Sequence, residues 1–242
     1  MPTPLRGVLL DAGNTLVFVD PRRVIPVLVE AGAQAAAALY REAERDARLA
    51  LSLAPSRDGA DAEARVWQDY FDRIIRLTGV PDERLAEVAV ALKRAHEDDH
   101  LWTWVQEGAA AALARVREMG YRLGIVSNAD GRVEALLHRL GLADAVEFVI
   151  DSHAVGVAKP DPRIFRMGAE RLGLAPEECL YVGDLYAIDV VGARAAGLHP
   201  LLLDPFDRLS AWDDVDRIPT VVDLPGWLAA RSGVAVSPDP RG

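Results

Sequence analysis

Short apolar runs alternate with longer amphipathic segments along most of this chain. Runs rich in Val, Ile and Leu that are apolar at every position are typical of strands buried on both faces of a parallel sheet. They predict strands at residues 8–10, 123–126 and 180–182, with two further strands of the same sheet at 146–150 and 201–203. Strands separated by helical segments require right-handed crossovers, so the pattern predicts an α/β fold with a doubly wound parallel sheet.

Four of the amphipathic segments are followed by a glycine. The segments cover residues 107–119, 131–140, 162–172 and 187–196, and the glycines that follow them are Gly120, Gly141, Gly173 and Gly197. A glycine at this place can adopt the left-handed conformation that caps the C-terminus of a helix. The sequence therefore predicts four helices between the strands of the sheet.

Residues 18–104 break this alternation because they carry no strand signal and are rich in Ala, Arg, Glu and Leu at helical spacing. The spacing predicts helices at 34–53, 60–77 and 82–96. We therefore expect a Rossmann-like core built from residues 1–17 and 105–242, with an inserted all-α cap domain at 18–104. Since the insertion follows the first strand, it can lie over the carboxyl end of that strand as a lid.

Composition and charge narrow the class of function. Of the 242 residues, 50% are hydrophobic, and the formal net charge is −10. A chain this acidic lacks the basic surface that neutralises phosphates, so we expect no nucleic-acid partner. No apolar run approaches the roughly 20 residues that span a bilayer, and the N-terminus shows no signal-peptide pattern. We expect a cytoplasmic protein with no membrane partner, either a monomer or a homodimer.

Polar residues with catalytic chemistry follow the predicted strands, at the edge where parallel sheets bind their ligands. Asp11 ends the first strand in GVLLDAGNTL, and the segment IVSNAD places Ser127 and Asn128 after the second. The segments VGVAKPDPRIF and GDLYAID then add Lys159, Asp184 and Asp189. A lone acidic residue at a strand end is usually a helix cap, but four such groups in order favour a functional site.

In this order, the four segments resemble the four motifs of the haloacid dehalogenase superfamily. The resemblance spans residues 8–197 and includes the GARAAG tail of the fourth motif. It implies a Rossmann-like core with a helical C1-type cap, and a phosphatase-like hydrolase in which Asp11 attacks phosphorus to form an aspartyl phosphate. A small phosphorylated metabolite is the substrate class that it implies.

The resemblance also implies a Mg²⁺ cofactor and the residues that bind it. Magnesium is a hard cation that prefers oxygen ligands and keeps several waters. The ligands would be the Asp11 carboxylate, the backbone carbonyl of Gly13 and the Asp184 carboxylate. Asp189 would lie in the outer shell or bridge through water.

Four residues would contact the phosphate by the same resemblance. Lys159 would neutralise the nucleophile and one phosphate oxygen, as a second catalytic residue beside Asp11. Thr15, Ser127 and the backbone of Asn128 would donate hydrogen bonds to the transferring group. Together they would form a local positive site in an acidic protein.

Gly13 departs from the family pattern, which reads Asp-x-Asp-x-Thr where this chain has Asp11, Gly13 and Thr15. The missing aspartate is the family's general acid and base. Losing such a group costs about 10²–10⁴-fold in rate, so we expect weak activity toward alkyl esters and the smallest loss with acyl phosphates or aryl esters. A residue near the return from the insertion can replace the missing group when the lid closes: the candidates are His96, Asp98, Asp99 and His100.

Three alternatives remain open. A non-catalytic phosphate- or metabolite-binding protein would keep the metal site and lose the chemistry. A 2-haloacid dehalogenase-type hydrolase carries an aromatic residue at the position of Gly13, needs no metal and lacks the Gly183–Asp184 pair that is present here. A phosphonate hydrolase forms a Schiff base with a lid lysine, for which Lys93 is the candidate, but the acidic segment KRAHEDD around it disfavours a neutral amine.

Overall fold

The structure is a computed structural model that describes residues 3–33, 37–53, 62–207 and 212–232. The predicted helix positions 34–36 and 60–61 lie outside these ranges. Within them, no helix has both the length and the apolar character needed to cross a membrane.

The described part of the chain contains strands β1 (Gly7–Leu10), β2 (Val17–Val19), β3 (Trp102–Val105), β4 (Arg122–Ser127), β5 (Val149–Asp151), β6 (Cys179–Gly183), β7 (His199–Leu203) and β8 (Asp216–Ile218). Six of them form one sheet in the order β5-β4-β1-β6-β7-β8, and every neighbouring pair is parallel. The predicted doubly wound parallel sheet is confirmed. β5 begins later and β7 earlier than predicted, and β8 was not predicted because two of its three residues are charged.

The helices are α1 (Pro21–Glu30), α2 (Ala37–Leu53), α3 (Ala62–Leu77), α4 (Leu85–Asp98), α5 (Ala109–Glu118), α6 (Val133–Arg139), α7 (Ser152–Val155), α8 (Pro162–Arg171), α9 (Val191–Ala196) and α10 (Leu224–Ser232). A π-helical turn at Tyr186–Val190 leads into α9. The four predicted glycine caps are confirmed, since φ is 92° at Gly120, 72° at Gly141, 62° at Gly173 and 92° at Gly197.

The central strand β1 is buried on both faces of the sheet, as its unbroken apolar run predicts. Val8 and Leu10 point to one face, where they join the core built with α5, α6 and α10. Leu9 points to the other face and packs in the core that α8 and α9 cover. Helices on both faces therefore fix the end of β1, and with it the position of Asp11.

Helices α1 to α4 form a second hydrophobic core of their own. It contains the fully buried side chains of Phe71, Ile74 and Ile75 from α3. The antiparallel pair β2–β3 joins these helices to the sheet and places Val19 opposite Trp102. The sequence pattern predicted neither this pair nor α1, and the division of the chain at 17/18 and 104/105 stays a prediction.

Candidate active site

A cavity of about 1220 Å³ opens at the carboxyl ends of β1, β4 and β6, with α3 and α4 on its far side. Loops and helix N-termini converge at this edge of a parallel sheet, which is where such folds bind ligands. Its lining brings together residues from all four sequence motifs, namely Asp11, Gly13, Ser127, Asn128, Lys159, Asp184 and Asp189. The cavity is therefore the candidate active site.

Asp11 follows β1 directly, and its backbone N–H donates to the carbonyl of Val182 at 2.9 Å. Its Oδ1 accepts a hydrogen bond from Ser127 Oγ at 2.8 Å and lies 2.9 Å from Lys159 Nζ. Burial raises the pKa of the Asp11 carboxyl, and the Lys159 ammonium and the Ser127 hydroxyl act against that rise. One oxygen of a buried carboxylate is thus held by a cation and a hydroxyl at the edge of the sheet.

The ammonium group of Lys159 lies between two carboxylates, 2.9 Å from Asp11 Oδ1 and 2.8 Å from Asp189 Oδ1. It also donates to the hydroxyl of Tyr181 at 2.9 Å, and that hydroxyl donates to the carbonyl of Val126 at 2.8 Å. Burial by itself lowers the pKa of Lys159, but the two carboxylates outweigh it and raise that pKa well above its usual value. The site therefore keeps one permanent positive charge.

Tyr181 and the side chain of Asn128 position this lysine. Asn128 Nδ2 donates to the Lys159 carbonyl at 3.0 Å, and Asn128 Oδ1 accepts from the Lys159 N–H at 2.8 Å. The family resemblance implies a different role for Asn128, as a backbone donor to phosphate, and that role stays a prediction. Tyr181 was not predicted as a site residue. Its signal was present, because a tyrosine inside a fully apolar strand needs a partner for its hydroxyl.

Asp184 and Asp189 complete an acidic cluster with Asp11. One ligand oxygen from each of the three carboxylates lies within 4.8 Å of the other two. Burial and the two neighbouring carboxylates raise the pKa of Asp184 well above its usual value. Arg48 and Lys159 oppose this rise but do not cancel it, so the three buried carboxylates leave an excess of negative charge. Hard oxygen ligands with this excess are the donor set that suits Mg²⁺.

Asp189 is held by protein donors on both of its oxygens. Oδ1 accepts from Lys159 Nζ at 2.8 Å, and Oδ2 accepts from the backbone N–H of Leu185 at 2.9 Å. Gly183 is needed beside it, because a Cβ at that position would lie 2.4 Å from Asp189 Cγ. With both oxygens engaged, Asp189 suits the outer shell of a metal ion, and Asp184 suits the inner shell.

Thr15 and Gly13 lie in contrasting places. Thr15 is completely buried, its hydroxyl has no hydrogen-bond partner in the described ranges, and it is not part of the cavity lining. The structure therefore does not bring this hydroxyl to the candidate site. Gly13 does line the cavity, and the atom nearest to the place of its missing Cβ is Nε1 of Trp102, at 3.7 Å.

Of the four residues suggested as replacements for the missing general acid and base, two lie at the cavity and two do not. His96 and His100 line the cavity, whereas Asp98 and Asp99 do not. Asp99 instead lies in two surface salt bridges, at 2.6 Å from an Arg23 nitrogen and 3.0 Å from an Arg139 nitrogen. The cavity therefore has imidazoles, but no carboxylate from this pair, on the side of α4.

A family model described as haloacid dehalogenase-like hydrolase matches residues 5–197. This chain belongs to that family. A mouse (Mus musculus) relative, haloacid dehalogenase-like hydrolase domain-containing protein 3, is 41% identical over 145 residues, which are 58% of this chain and 57% of that protein. The chain thus matches a little over half the length of this relative.

Phosphatases are among the proteins that this chain resembles. Glyceraldehyde 3-phosphate phosphatase from Methanopyrus kandleri is 32% identical over 206 residues, which are 80% of this chain and 82% of that protein. The structure of a phosphatase of the family from Thermococcus onnurineus matches 93% of this chain and 98% of its own with a TM-score of 0.59 and 25% identity. The resemblance inferred from the four motifs is confirmed, and it supports a hydrolase with phosphatase relatives.

Replacing Tyr181 by Phe tests the buried contacts of Lys159. The ammonium loses an acceptor and the Val126 carbonyl loses a donor, so we expect the free energy of unfolding to fall by about 1–3 kcal/mol. Tyr121→Phe is the matched control, because Tyr121 is only half-buried and its hydroxyl donates to no residue within the described ranges. Urea denaturation of both variants measures the difference, and equal effects would contradict the assigned network.

Replacing Asp184 by Asn tests the excess negative charge. An acid whose pKa is raised by folding destabilises the protein as the pH rises above the ordinary carboxyl range, near 4. We therefore expect Asp184→Asn to stabilise the metal-free protein at pH 7 by about 1–2 kcal/mol, with the gain vanishing toward pH 3. The exposed Asp144→Asn is the control. Urea denaturation in EDTA at several pH values measures both, and a gain independent of pH would count against this assignment.

Proposed function

We propose that this protein is a Mg²⁺-dependent phosphatase that hydrolyses a small phosphorylated metabolite through an aspartyl phosphate on Asp11. The observation that carries the proposal is the buried Asp11 carboxylate, with Ser127 and Lys159 on one of its oxygens and two further carboxylates beside it. A carboxylate in a cavity needs this compensation before a phosphate can approach. The names of the phosphatase relatives support the same substrate class.

The proposed reaction has two steps on the same carboxylate. In the first, an Asp11 oxygen forms a bond to phosphorus while the ester P–O bond breaks, and the leaving oxygen keeps the electron pair. Water then attacks the aspartyl phosphate, which releases inorganic phosphate and restores Asp11. Lys159 stays charged throughout and holds both the nucleophile and the phosphate oxygens in place.

The acidic cluster would bind a metal cation, and that cation would supply the remaining positive charge. Bound Mg²⁺ would be held by the Asp11 and Asp184 carboxylates and the Gly13 carbonyl, and it would offset the charge that nucleophile and phosphate bring together. The residues present fit this role, since a glycine offers the same backbone oxygen as the aspartate of the family pattern. Asp189 keeps Lys159 charged and aligned from the other side.

Residue 13 cannot transfer a proton in either step, because glycine has no side chain. A general acid and base is worth about 10²–10⁴-fold, so leaving groups that depart without a proton should react best. The same vacancy favours a second candidate function, a phosphate-binding protein that has kept the cavity and lost the chemistry. The phosphonate hydrolase alternative is disfavoured because Lys93, although it lines the cavity, is exposed to solvent and is not desolvated.

The proposal is tested by phosphate release from p-nitrophenyl phosphate and acetyl phosphate. We expect turnover of both with Mg²⁺, loss of turnover in EDTA, and background rates for an Asp11→Asn variant that still unfolds cooperatively. A well-folded wild type that turns over neither substrate would leave the binding protein as the better interpretation. Halide release from 2-chloropropionate in EDTA would instead support a dehalogenase.

Restoring the missing carboxylate tests the role of Gly13. Apart from the residues adjacent in the chain, a Cβ at this position would meet no atom closer than Trp102 Nε1 at 3.7 Å, so a side chain can begin here without a clash. We expect Gly13→Asp to raise kcat for alkyl phosphates such as glycerol phosphate by about 10²–10⁴-fold. Gly13→Asn is the matched control, because it has the same size and hydrogen-bonding capacity but cannot carry a proton. Equal rates for the two variants would show that proton transfer is not what the site lacks.

A further inference from the structure

The indole ring of Trp102 faces the place that the side chain of residue 13 would occupy. A Cβ at Gly13 would lie 3.7 Å from Trp102 Nε1 and 4.0 Å from Trp102 Cδ1. The N–H edge of the indole is therefore the part of the protein nearest to the vacancy. Trp102 and Gly13 both line the cavity that contains Asp11.

This indole is fixed in place, yet its N–H is unused. The ring stacks on Tyr70 with 6.1 Å between centroids and meets the edge of Phe71 at 5.7 Å. Its strand β3 pairs with β2, which sets the ring against the loop that carries Gly13. Across the described ranges, no acceptor binds Trp102 Nε1. A rigid donor without a protein acceptor thus lies beside Gly13 in the lining of the cavity.

His100 adds a second donor of the same kind. Its Nδ1 accepts from the backbone N–H of Trp102 at 3.3 Å, so its own hydrogen is on Nε2. Burial and the neighbouring His96 lower the pKa of His100 to about 4. At neutral pH the ring of this cavity-lining residue is uncharged, so it offers an N–H donor rather than a cation.

His96, His100 and Asp130 lie close together, and their hydrogen bonds favour a group of N–H donors over a metal site. Their ligand atoms lie within 4.8 Å of one another. However, the backbone N–H of Leu101 donates to His96 Nδ1 at 3.3 Å, and His96 Nε2 lies 3.2 Å from Asp130 Oδ2. Both imidazoles therefore carry their hydrogen on Nε2, and a metal bound there would require a hydrogen on Nδ1 and break these two backbone contacts.

Donors of this type stabilise an oxygen anion without protonating it. An indole N–H is a donor only, and a neutral imidazole N–H is a very weak acid. Preorganised donors aimed at a developing oxyanion lower its energy in a site that excludes water. They suit a leaving group that departs as an anion, whereas an alkoxide would still need a proton. The neighbouring cavity wall is aromatic as well, since it includes Trp67 and Tyr70.

We propose that Trp102, with His100 beside it, forms the leaving-group subsite of this enzyme and that its substrates are aryl phosphates. This inference rests on the proposed function. The Asp11–phosphorus bond forms as the aryl P–O bond breaks, the phenolate oxygen keeps the electron pair, and Trp102 Nε1–H donates to that oxygen. The phenolate leaves without a proton from the protein, and water then hydrolyses the aspartyl phosphate.

Trp102→Phe tests the subsite because it keeps an aromatic ring and removes the N–H. With Mg²⁺ at pH 7, we expect kcat for phenyl phosphate to fall about 10²-fold, kcat for p-nitrophenyl phosphate to fall less, and kcat for acetyl phosphate to change least. KM should change little. Trp104→Phe is the matched control, since Trp104 lies on the same strand but is 44% exposed and does not line the cavity.

The outcomes separate the two proposals. Mg²⁺-dependent turnover that is equal in Trp102→Phe and Trp104→Phe, or a loss that is the same for all three substrates, overturns the subsite alone. No turnover of any substrate by wild type or Gly13→Asp overturns the proposed function and the subsite with it.

A second measurement tests the subsite without the Trp102→Phe variant, in case that variant does not fold. In Asp11→Asn, which cannot turn over substrate, the indole N–H resonance of Trp102 is followed by NMR as p-nitrophenyl phosphate is added. A downfield shift at saturation supports a hydrogen bond to the substrate. An unshifted resonance at saturation overturns the subsite.

Discussion

The buried ammonium of Lys159 is the interaction on which the candidate site depends. Its removal from water is costly, and the carboxylates of Asp11 and Asp189 offset that cost at 2.9 Å and 2.8 Å. Each partner comes from a different part of the sheet edge: Asp11 follows β1, Tyr181 lies in β6, and Asp189 lies in the π-helical turn. One cation therefore holds three segments in register, and the carboxylate of Asp11, the proposed nucleophile, is aligned as a consequence of this pairing.

The same pairing leaves the site short of positive charge. Lys159 compensates two carboxylates, and Asp184 adds a third, on which the charges of Arg48 and Lys159 are outweighed by burial and by the neighbouring carboxylates. Such a cluster is unfavourable in the folded chain by itself, and the proposed divalent cation would relieve that repulsion. The helix α2 reaches this loop, since Ser52 Oγ donates to the Asp184 carbonyl at 3.1 Å. Helices outside the sheet therefore contact the backbone that positions a predicted metal ligand.

Much of the sheet and part of the site could be predicted because they follow from local pattern. Apolar runs predict the inner strands, and the polar residue at the end of each one must reach the common edge, which is how Asp11, Ser127 and Asp184 come together. Contacts that depend on tertiary packing could not be read in this way. The burial of Thr15 follows from the fold of the turn after Asp11, and the pair β2–β3 joins two short strands separated by more than 80 residues. The aromatic and β-branched run WTWV was its signal, but a run this short is ambiguous.

The position of Trp102 also depends on tertiary packing, and it changes the expected effect of having glycine at residue 13. A carboxylate at residue 13 would donate a proton, so it would help most when the leaving oxygen is strongly basic. An indole N–H only shares its hydrogen, so its benefit is limited to oxygens that are stable enough to leave as anions. A phenol has a pKa of about 10, whereas a hydroxyl as basic as water has one near 15.7. One pKa unit corresponds to about 1.4 kcal/mol. A hydrogen bond can therefore offset much of the difference between the pKa of a phenol and neutral pH, but little of the difference for a hydroxyl as basic as water. In the proposed mechanism, the exchange of an acid for a donor would therefore select among leaving groups and leave the transfer of phosphate to Asp11 intact.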